Sequence, residues 1–234
     1  MSAILKRELS SYFSSAVAYV VMAVYFFFSG MFFYIICVES DSASLSYVLG
    51  NMFMIILFVI PIITMKTFSE EKRQRTDQAL LTSPASLFEI VMGKFLGAFV
   101  LYALCSLIFL VYAVVISFFT TPQWSVVLCT ELGLLLLGAA LIAINVFISS
   151  LTESMIIAAV AGMGIGLLIY MLNSFSNYVT ITWISNLITK IDFLTYYTNF
   201  TYGMLNIADV IFFASVAGLF LFFTSRVLEK KRWS

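Results

Sequence analysis

Few side chains in this 234-residue chain have the chemistry of a catalytic or metal site. The sequence contains no histidine, and its three cysteines, Cys37, Cys105 and Cys129, lie far apart inside apolar stretches, without a CxxC pair. Zinc binding and histidine-based catalysis are therefore disfavoured, and the cysteines are interpreted as small buried apolar residues. The adjacent acids Glu70 and Glu71 would point to different faces of a helix, so they do not form a pair for general acid and base catalysis.

The glycine and lysine residues also lack the arrangement that binds nucleotide phosphates. A phosphate-binding loop ends in Gly-Lys-Ser or Gly-Lys-Thr, whereas Gly93-Lys94 is followed by Phe95 inside an apolar stretch. The glycines between residues 162 and 166 also lie in apolar sequence, where a GxxxG spacing favours close helix packing. The chain is therefore predicted not to be an enzyme and to carry no catalytic residue, no metal site and no cofactor of its own.

Polar residues inside the apolar stretches are too few to predict an ion-driven carrier. A charge at mid-membrane is costly and marks an ion or proton pathway. Glu131 and Asp209, however, lie within about two turns of the ends of their stretches. Asn145 is the one strongly polar residue well inside a stretch, and we interpret it as an interhelical hydrogen-bonding group.

The elements that position these residues must lie mostly in lipid. Hydrophobic residues make up 62% of the chain and charged residues 10%, and the mean hydropathy is +1.07; a soluble domain carries roughly a quarter charged residues. The twelve acids balance the twelve bases, so the charge gives no indication of nucleic-acid binding. The length suits one transmembrane domain of about six helices and leaves no room for an ATPase domain.

Six apolar segments predict an all-α membrane protein with six transmembrane helices. The predicted spans cover residues 16–38, 45–65, 90–119, 126–148, 155–172 and 207–225. With this arrangement, eleven of the twelve Lys and Arg residues fall on one side, and only Lys190 falls on the other. The positive-inside rule then makes both termini cytoplasmic. Lys94, within the third span, is expected to snorkel toward the same side.

Three further segments complete the predicted organisation. Residues 1–15 carry Leu5, Leu9 and Tyr12 at helical spacing beside charged residues, which predicts an amphipathic helix at the interface. Residues 66–89 are predicted to form a cytoplasmic loop. Residues 173–206 mix polar and aromatic side chains, which predicts short re-entrant or interfacial helices on the outer side before the last span.

Four segments of the sequence together resemble one family of membrane proteins. They are RELSSYFSSAVAYVV at 7–21, EEKRQRTDQALLTSPASLFEIVMGKFLGAF at 70–99, FISSLTES at 147–154 and NFTYGMLNIADVIFFASVAGLFLFFTSRVLEKKRW at 199–233. In this order and spacing they resemble the permease subunits of type-2 ATP-binding-cassette (ABC) exporters. The resemblance is to the group containing gliding-motility and nitrous-oxide-reductase-maturation permeases, and it covers the chain nearly end to end.

The resemblance implies that a separate cytoplasmic ABC ATPase binds the loop between the second and third spans. ATP and Mg²⁺ would be bound by that ATPase, and a second permease copy would complete a homodimer or heterodimer. The implied ATPase-coupling contact consists of Glu70, Glu71, Lys72, Arg73, Thr76, Leu80, Leu81, Thr82, Ser83 and Pro84. The chain departs from the family pattern at Arg75 and Gln78, where relatives commonly have Gly and Glu, and at Ala16, where they often have Pro. Ser154-Met155 replaces a frequent Asn-Gln.

The second and fifth spans would line the transport pathway or the dimer interface, again by resemblance. The implied lining residues are Met52, Met54, Phe58, Gly162, Gly166 and Tyr170. Their apolar character favours a hydrophobic or amphipathic cargo exported across the cytoplasmic membrane of a prokaryote. The alternative hypothesis is a membrane assembly or mechanotransmission subunit that uses an ATPase without moving cargo, with an envelope accessory protein as a further partner.

Overall fold

The computed structural model describes residues 2–40, 44–76, 86–176 and 190–232, and these residues form helices joined by short turns. The helices, in chain order, are α1 (Ser2–Ser14), α2 (Ala16–Phe33), α3 (Leu45–Thr64), α4 (Ser69–Arg73), α5 (Leu87–Ser106), α6 (Ile108–Ser117), α7 (Trp124–Leu151), α8 (Met155–Ser176), α9 (Phe193–Thr201) and α10 (Ile207–Arg232). A π-helical turn, Tyr34–Glu39, extends α2. No strand occurs in the described ranges.

Among the described residues, six helical segments are long and apolar enough to cross a membrane. They are Ala16–Glu39, Leu45–Arg73, Leu87–Ser117, Trp124–Leu151, Met155–Leu172 and Ile207–Arg232. The predicted all-α fold with six spans is therefore confirmed.

Local interactions extend two of the spans beyond their apolar segments. The third span begins at Leu87 because Ser86 and Glu89 form a reciprocal capping box at its first turn. The last helix continues to Arg232, past the predicted end at 225. Arg226 and Glu229 form an ion pair one turn apart there, and basic side chains occupy the last turn, where they interact favourably with the helix dipole.

The helices α3 and α7 form the centre of the bundle. They are the most buried of the six spans. The helix α7 packs against α3, α5, α8, α9 and α10, and small residues let large side chains approach its backbone. Tyr102 of α5 lies directly on Gly138, and Phe200 of α9 lies directly on Gly133.

The segment before the last span contributes the short helix α9 to the described structure. Asp192 caps this helix by accepting a hydrogen bond from the Leu194 amide at 3.1 Å. The Tyr197 hydroxyl donates to the Leu49 carbonyl oxygen at 2.8 Å and fixes α9 to the start of α3. The predicted short helix before the last span is thus present; residues 177–189 lie outside the described ranges.

The N-terminal helix α1 forms as predicted, but it docks on the bundle through specific contacts. It packs along α5 and also touches α2. We call the end of the bundle that contains α1, α4 and the start of α5 the loop end. The helix α9 lies at the opposite end.

Candidate functional site

The helix α1 packs directly against two glycines of the third span. A methyl group built on Gly93 would lie 2.7 Å from Ile4 Cγ2, and one built on Gly97 would lie 2.9 Å from Glu8 Cβ. Both distances are shorter than real carbon–carbon contacts, so the GxxxG spacing at 93–97 allows α1 to approach the α5 backbone. One turn further along α1, the buried Tyr12 hydroxyl donates to the Ile63 carbonyl oxygen at 3.1 Å.

Tyr12 remains a hydrogen-bond donor at this contact. Burial raises the pKa of Tyr12 above its ordinary value, and the nearby Glu8 carboxylate raises it further. The hydroxyl therefore stays protonated, and α1 stays bonded to the end of α3.

Four charged side chains meet beneath α1. Lys94 Nζ lies 3.1 Å from Glu8 Oε1 and 2.9 Å from Glu71 Oε1, and it donates to the Thr67 carbonyl oxygen at 2.6 Å. Arg7 Nη2 bridges the same two acids, at 3.2 Å from Glu8 and 2.8 Å from Glu71. We call Arg7, Glu8, Glu71 and Lys94 the ion cluster. It joins α1, α4 and α5.

The ion cluster balances its own charge. Its two bases and two acids compensate one another, which matters because the Lys94 side chain is only 1% exposed. An uncompensated charge at such a site costs several kcal/mol. The ammonium also lies over the Phe68 ring, 5.0 Å from its centroid. The Lys94 side chain extends toward the loop end, but its charge is satisfied there by partly buried carboxylates of the protein and not by water.

The helix α4 is also fixed to the end of α7. The Ser149 hydroxyl oxygen accepts hydrogen bonds from the Phe68 and Ser69 amides at 3.1 and 3.2 Å. The buried Lys72 ammonium donates to the Ser150 carbonyl oxygen. A cation at this position also interacts favourably with the C-terminal end of the α7 dipole.

The end of α4 presents an exposed polar face. Arg73, Gln74, Arg75 and Thr76 are all exposed. The Thr76 amide donates to the Glu71 carbonyl oxygen at 2.9 Å and the Arg75 amide donates to the Lys72 carbonyl oxygen at 3.1 Å, which together form a Schellman cap. Arg75 adopts φ 56° at the left-handed position of this cap, where glycine is favoured.

The predicted coupling residues divide into four groups. Glu71 and Lys72 are bonded within the chain, whereas Arg73 and Thr76 face outward. Glu70 is half-buried and accepts a hydrogen bond from Gln74 Nε2 at 3.3 Å. The remaining predicted contacts lie outside the described residues: Leu80, Leu81, Thr82, Ser83 and Pro84.

The predicted pathway residues do not share one surface in the single chain. Met52, Gly162 and Gly166 are buried inside the bundle, Phe58 is half-buried, and Met54 and Tyr170 are exposed. The two glycines pack against other helices of the same chain.

Asn145 is bonded within its own helix. Its amide Nδ2 donates to the Leu141 carbonyl oxygen at 2.9 Å, and its Oδ1 has no hydrogen-bond partner in the described part of the chain. A side chain at Gly162 would overlap this oxygen. The interpretation of Asn145 as an interhelical hydrogen-bonding group is therefore wrong for the described residues.

Two buried acids lie toward the opposite end of the bundle. Asp209 accepts hydrogen bonds from Asn199 Nδ2 at 2.9 Å and Asn206 Nδ2 at 3.3 Å. Glu131 is equally hidden, and the Ser106 hydroxyl lies close enough to interact with its carboxylate, although not in good hydrogen-bond geometry. The Tyr25 hydroxyl, which interacts electrostatically with Glu131, has no hydrogen-bond partner among the described residues.

The sequence reasoning missed the roles of Arg7 and Glu8, and it did not identify the carboxylates that bind Lys94. A signal was available, because Gly93 and Gly97 flank Lys94 at the spacing that admits a helix. The sequence does not indicate, however, that α1 is the helix that packs against these glycines.

Comparison with known proteins identifies the family of the chain. Residues 38–225 match the family model described as "ABC-2 family transporter protein". No curated protein matches the chain significantly. The match covers well over half of the chain, from the π-helical turn after α2 into α10, and so includes the second to the sixth span. Proteins of this family are the membrane-spanning components that work with ABC ATPase subunits, and this chain, a multi-pass membrane protein, belongs to the ABC-2 family as the permease of an ABC transporter.

Proposed function

We propose that this permease exports a hydrophobic or amphipathic substrate across the cytoplasmic membrane of a prokaryote, with the loop end facing the cytoplasm. A separate ABC ATPase binds at α4, and ATP binding and hydrolysis there shift the bundle between inward-open and outward-open states. The sequence resemblance to gliding-motility and nitrous-oxide-reductase-maturation permeases supports the assignment of this chain to that group of the family.

The attachment of α4 carries the proposal. This short helix follows directly from α3, is bonded to the end of α7 through Ser149 and Ser150, and joins α5 and α1 through the ion cluster. A displacement of α4 would therefore act on four helices at once. Its exposed end, from Arg73 to Thr76, is available to a partner.

The predicted coupling residues take different parts in this proposal. Arg73 and Thr76 contact the ATPase together with Glu70 and the segment from Leu80 to Pro84. Glu71 and Lys72 are positioning residues, since their side chains are bonded inside the permease. Their interactions transmit the movement of α4 into α5 and α7.

The proposed pathway and dimer contacts follow the exposed part of the second and fifth spans. Met54 and Tyr170 are exposed and Phe58 is half-buried in the single chain, so a second permease copy or the cargo could contact them directly. The exposed surface would be supported by three buried residues beneath it, Met52, Gly162 and Gly166. These three would contact a second copy or the cargo only if α3 and α8 separate during transport.

Affinity purification from the native membrane tests the proposal. We expect an ABC ATPase to accompany the permease, to be lost in Arg73→Glu, and to be retained in Arg226→Glu, which reverses an exposed arginine in α10. Purification without any ATPase, or with equal amounts from both variants, would contradict the coupling assignment. ATPase activity that responds to an envelope protein and never to a substrate would favour the mechanotransmission alternative.

A separate labelling experiment tests the orientation of the permease in the membrane. In a cysteine-free background, Lys230→Cys should react with a membrane-impermeant maleimide only after the membrane is opened, and Lys190→Cys should react in intact cells. The reverse pattern would place the loop end outside.

A further inference from the structure

Two neighbouring cavities at the loop end differ sharply in chemistry. The first is a polar cleft of about 380 Å³ between α1, the end of α3 and α4. The second is an apolar groove of about 230 Å³ between α2 and α3. Val17, in the first turn of α2, lines both cavities. The cleft therefore opens beside the groove, at the boundary where the first span begins.

The polar cleft carries charges of both signs. Three bases, Arg7, Lys66 and Lys94, and three acids, Glu8, Glu70 and Glu71, contribute to its walls. Lys94 and Glu8 already compensate each other in the ion cluster. Arg7 is about half exposed, and Lys66 is half-buried with its ammonium donating to Ser15 Oγ at 3.2 Å. Both bases retain donors for an anion, such as a phosphate.

The same cleft also contains an acceptor that lacks a donor. Glu71 Oε1 is bonded to Arg7 and Lys94, but Glu71 Oε2 is buried and has no hydrogen-bond partner in the described ranges. Because this oxygen has almost no accessible surface, a bound N–H donor reaches it only if the Glu71 side chain turns toward the cleft, and the new hydrogen bond then recovers the free energy that the missing partner costs. The balanced lining and this oxygen favour a ligand that carries a primary ammonium as well as a phosphate.

The groove fits a hydrocarbon chain. Its lining exposes no polar surface and includes Val20 and Val24 on α2 and Val59 and Ile62 on α3. From Ala16 to Val24 it follows about 12 Å of helix, at 1.5 Å per residue. From Ala16, where the first span begins, the groove runs toward the bilayer centre, to the depth at which acyl chains lie.

We infer that the cleft and the groove together form a binding site for an aminophospholipid of the adjoining leaflet. The phosphate lies against Lys66 and Arg7, the primary ammonium approaches the acidic side of the cleft at Glu71, and one acyl chain fills the groove. The lipid then contacts α1, α2 and the junction between α3 and α4. This inference goes beyond the proposed function and holds whether or not α4 binds an ATPase.

Native mass spectrometry of the full chain, released from detergent, tests the site. The protein is titrated with dioleoyl phosphatidylethanolamine, phosphatidylcholine or phosphatidylglycerol, which share the same acyl chains. We expect one equivalent of the ethanolamine lipid to bind about tenfold more tightly than either other lipid, because only it supplies both a phosphate and N–H donors in a zwitterion. Equal binding of all three lipids, or a preference for the glycerol lipid, would overturn the inference.

Two pairs of variants locate the binding. Lys66→Ala should weaken ethanolamine-lipid binding by about tenfold, whereas Lys6→Ala, which removes an exposed lysine of α1 that does not line the cleft, should leave it unchanged. Val20→Trp should fill the groove and abolish binding of the one lipid, whereas Val111→Trp, at an exposed valine of α6, should not. Unchanged binding in Lys66→Ala or Val20→Trp would overturn the site.

Two further measurements distinguish a loss of lipid binding from a loss of folding and from a loss of ATPase association. If Lys66→Ala does not yield folded protein, Lys66→Arg takes its place and should retain binding. Failure of Lys66→Arg to bind lipid while folded would count against a phosphate at this position. Val20→Trp should still purify with the ATPase, so loss of the lipid and loss of the proposed coupling are distinguishable.

Discussion

Lys94 Nζ lies 2.9 Å from Glu71 Oε1 and thereby joins the third span to α4. The same ammonium reaches Glu8 of α1. A single buried base thus connects the N-terminal helix, the proposed coupling element and the membrane bundle. Its removal should affect all three.

Replacing Lys94 by methionine should lower the free energy of unfolding by about 3 kcal/mol, because two partly buried carboxylates lose their shared base. Adding Glu71→Gln should recover part of that loss, since one uncompensated charge is removed. SDS titration of the protein in detergent micelles measures both effects. Arg226→Met, which breaks an exposed pair with Glu229, serves as control and should cost less than about 0.5 kcal/mol. A Lys94→Met variant as stable as this control would contradict the ion cluster.

Gly97→Val should displace α1 from α5, because even a methyl group at this position would lie 2.9 Å from Glu8 Cβ. Gly218→Val introduces the same side chain into α10, where no atom beyond the adjacent residues and backbone of that helix lies within 4 Å of the built carbon. Limited trypsin digestion in detergent should cleave after Arg7 faster in Gly97→Val than in Gly218→Val. Equal cleavage rates would mean that α1 does not depend on this contact.

Arg75→Gly should stabilise the cap of α4 by about 0.5–1 kcal/mol, because glycine adopts the left-handed conformation without a steric penalty. Arg73→Gly removes a similar side chain from within the helix and should destabilise it by about 1 kcal/mol. Hydrogen exchange of the Thr76 amide, which donates to the Glu71 carbonyl oxygen, reports the cap directly. Faster exchange in Arg75→Gly than in the wild type would refute the strain at this residue.

Glu131→Gln should leave the free energy of unfolding unchanged or raise it, because the substitution removes a buried acid that no base compensates among the described residues. Asp209→Asn is the matched change at a carboxylate that accepts two hydrogen bonds, and it should cost about 1–2 kcal/mol. Thermal unfolding in detergent compares the two variants. A larger loss for Glu131→Gln than for Asp209→Asn would show that Glu131 has an essential partner.

The parts of the fold that depend on local composition were predictable. Six apolar stretches of sufficient length define six spans, and the periodic apolar residues of the first segment define α1. The ion cluster was not predictable in the same way, because Glu8 and Lys94 are 86 positions apart and each has an ordinary surface interpretation. Asn145 was misassigned for a related reason: the sequence shows that a polar residue lies in a span, but the backbone decides whether it bonds to its own helix.

The departure from the family pattern at Arg75 has a local physical explanation that the sequence alone did not provide. The resemblance indicates only that glycine is common at this position. The structure adds the reason, since Arg75 occupies the left-handed position of the α4 cap. Partner specificity at the neighbouring Gln78 has no such explanation, because that residue lies outside the described ranges.

The distance along the chain between Glu8 and Lys94 also constrains how the protein is made. Glu8 leaves the ribosome long before Lys94, so while the next two spans are synthesised its carboxylate has Arg7 but not Lys94 as a basic partner. Only when the third span enters the bilayer does its lysine acquire the carboxylates that make burial tolerable. The pair between Glu8 and Lys94 therefore forms only after the third of the six spans has been made, and until then the Lys94 ammonium lacks the carboxylates that compensate it in the finished protein.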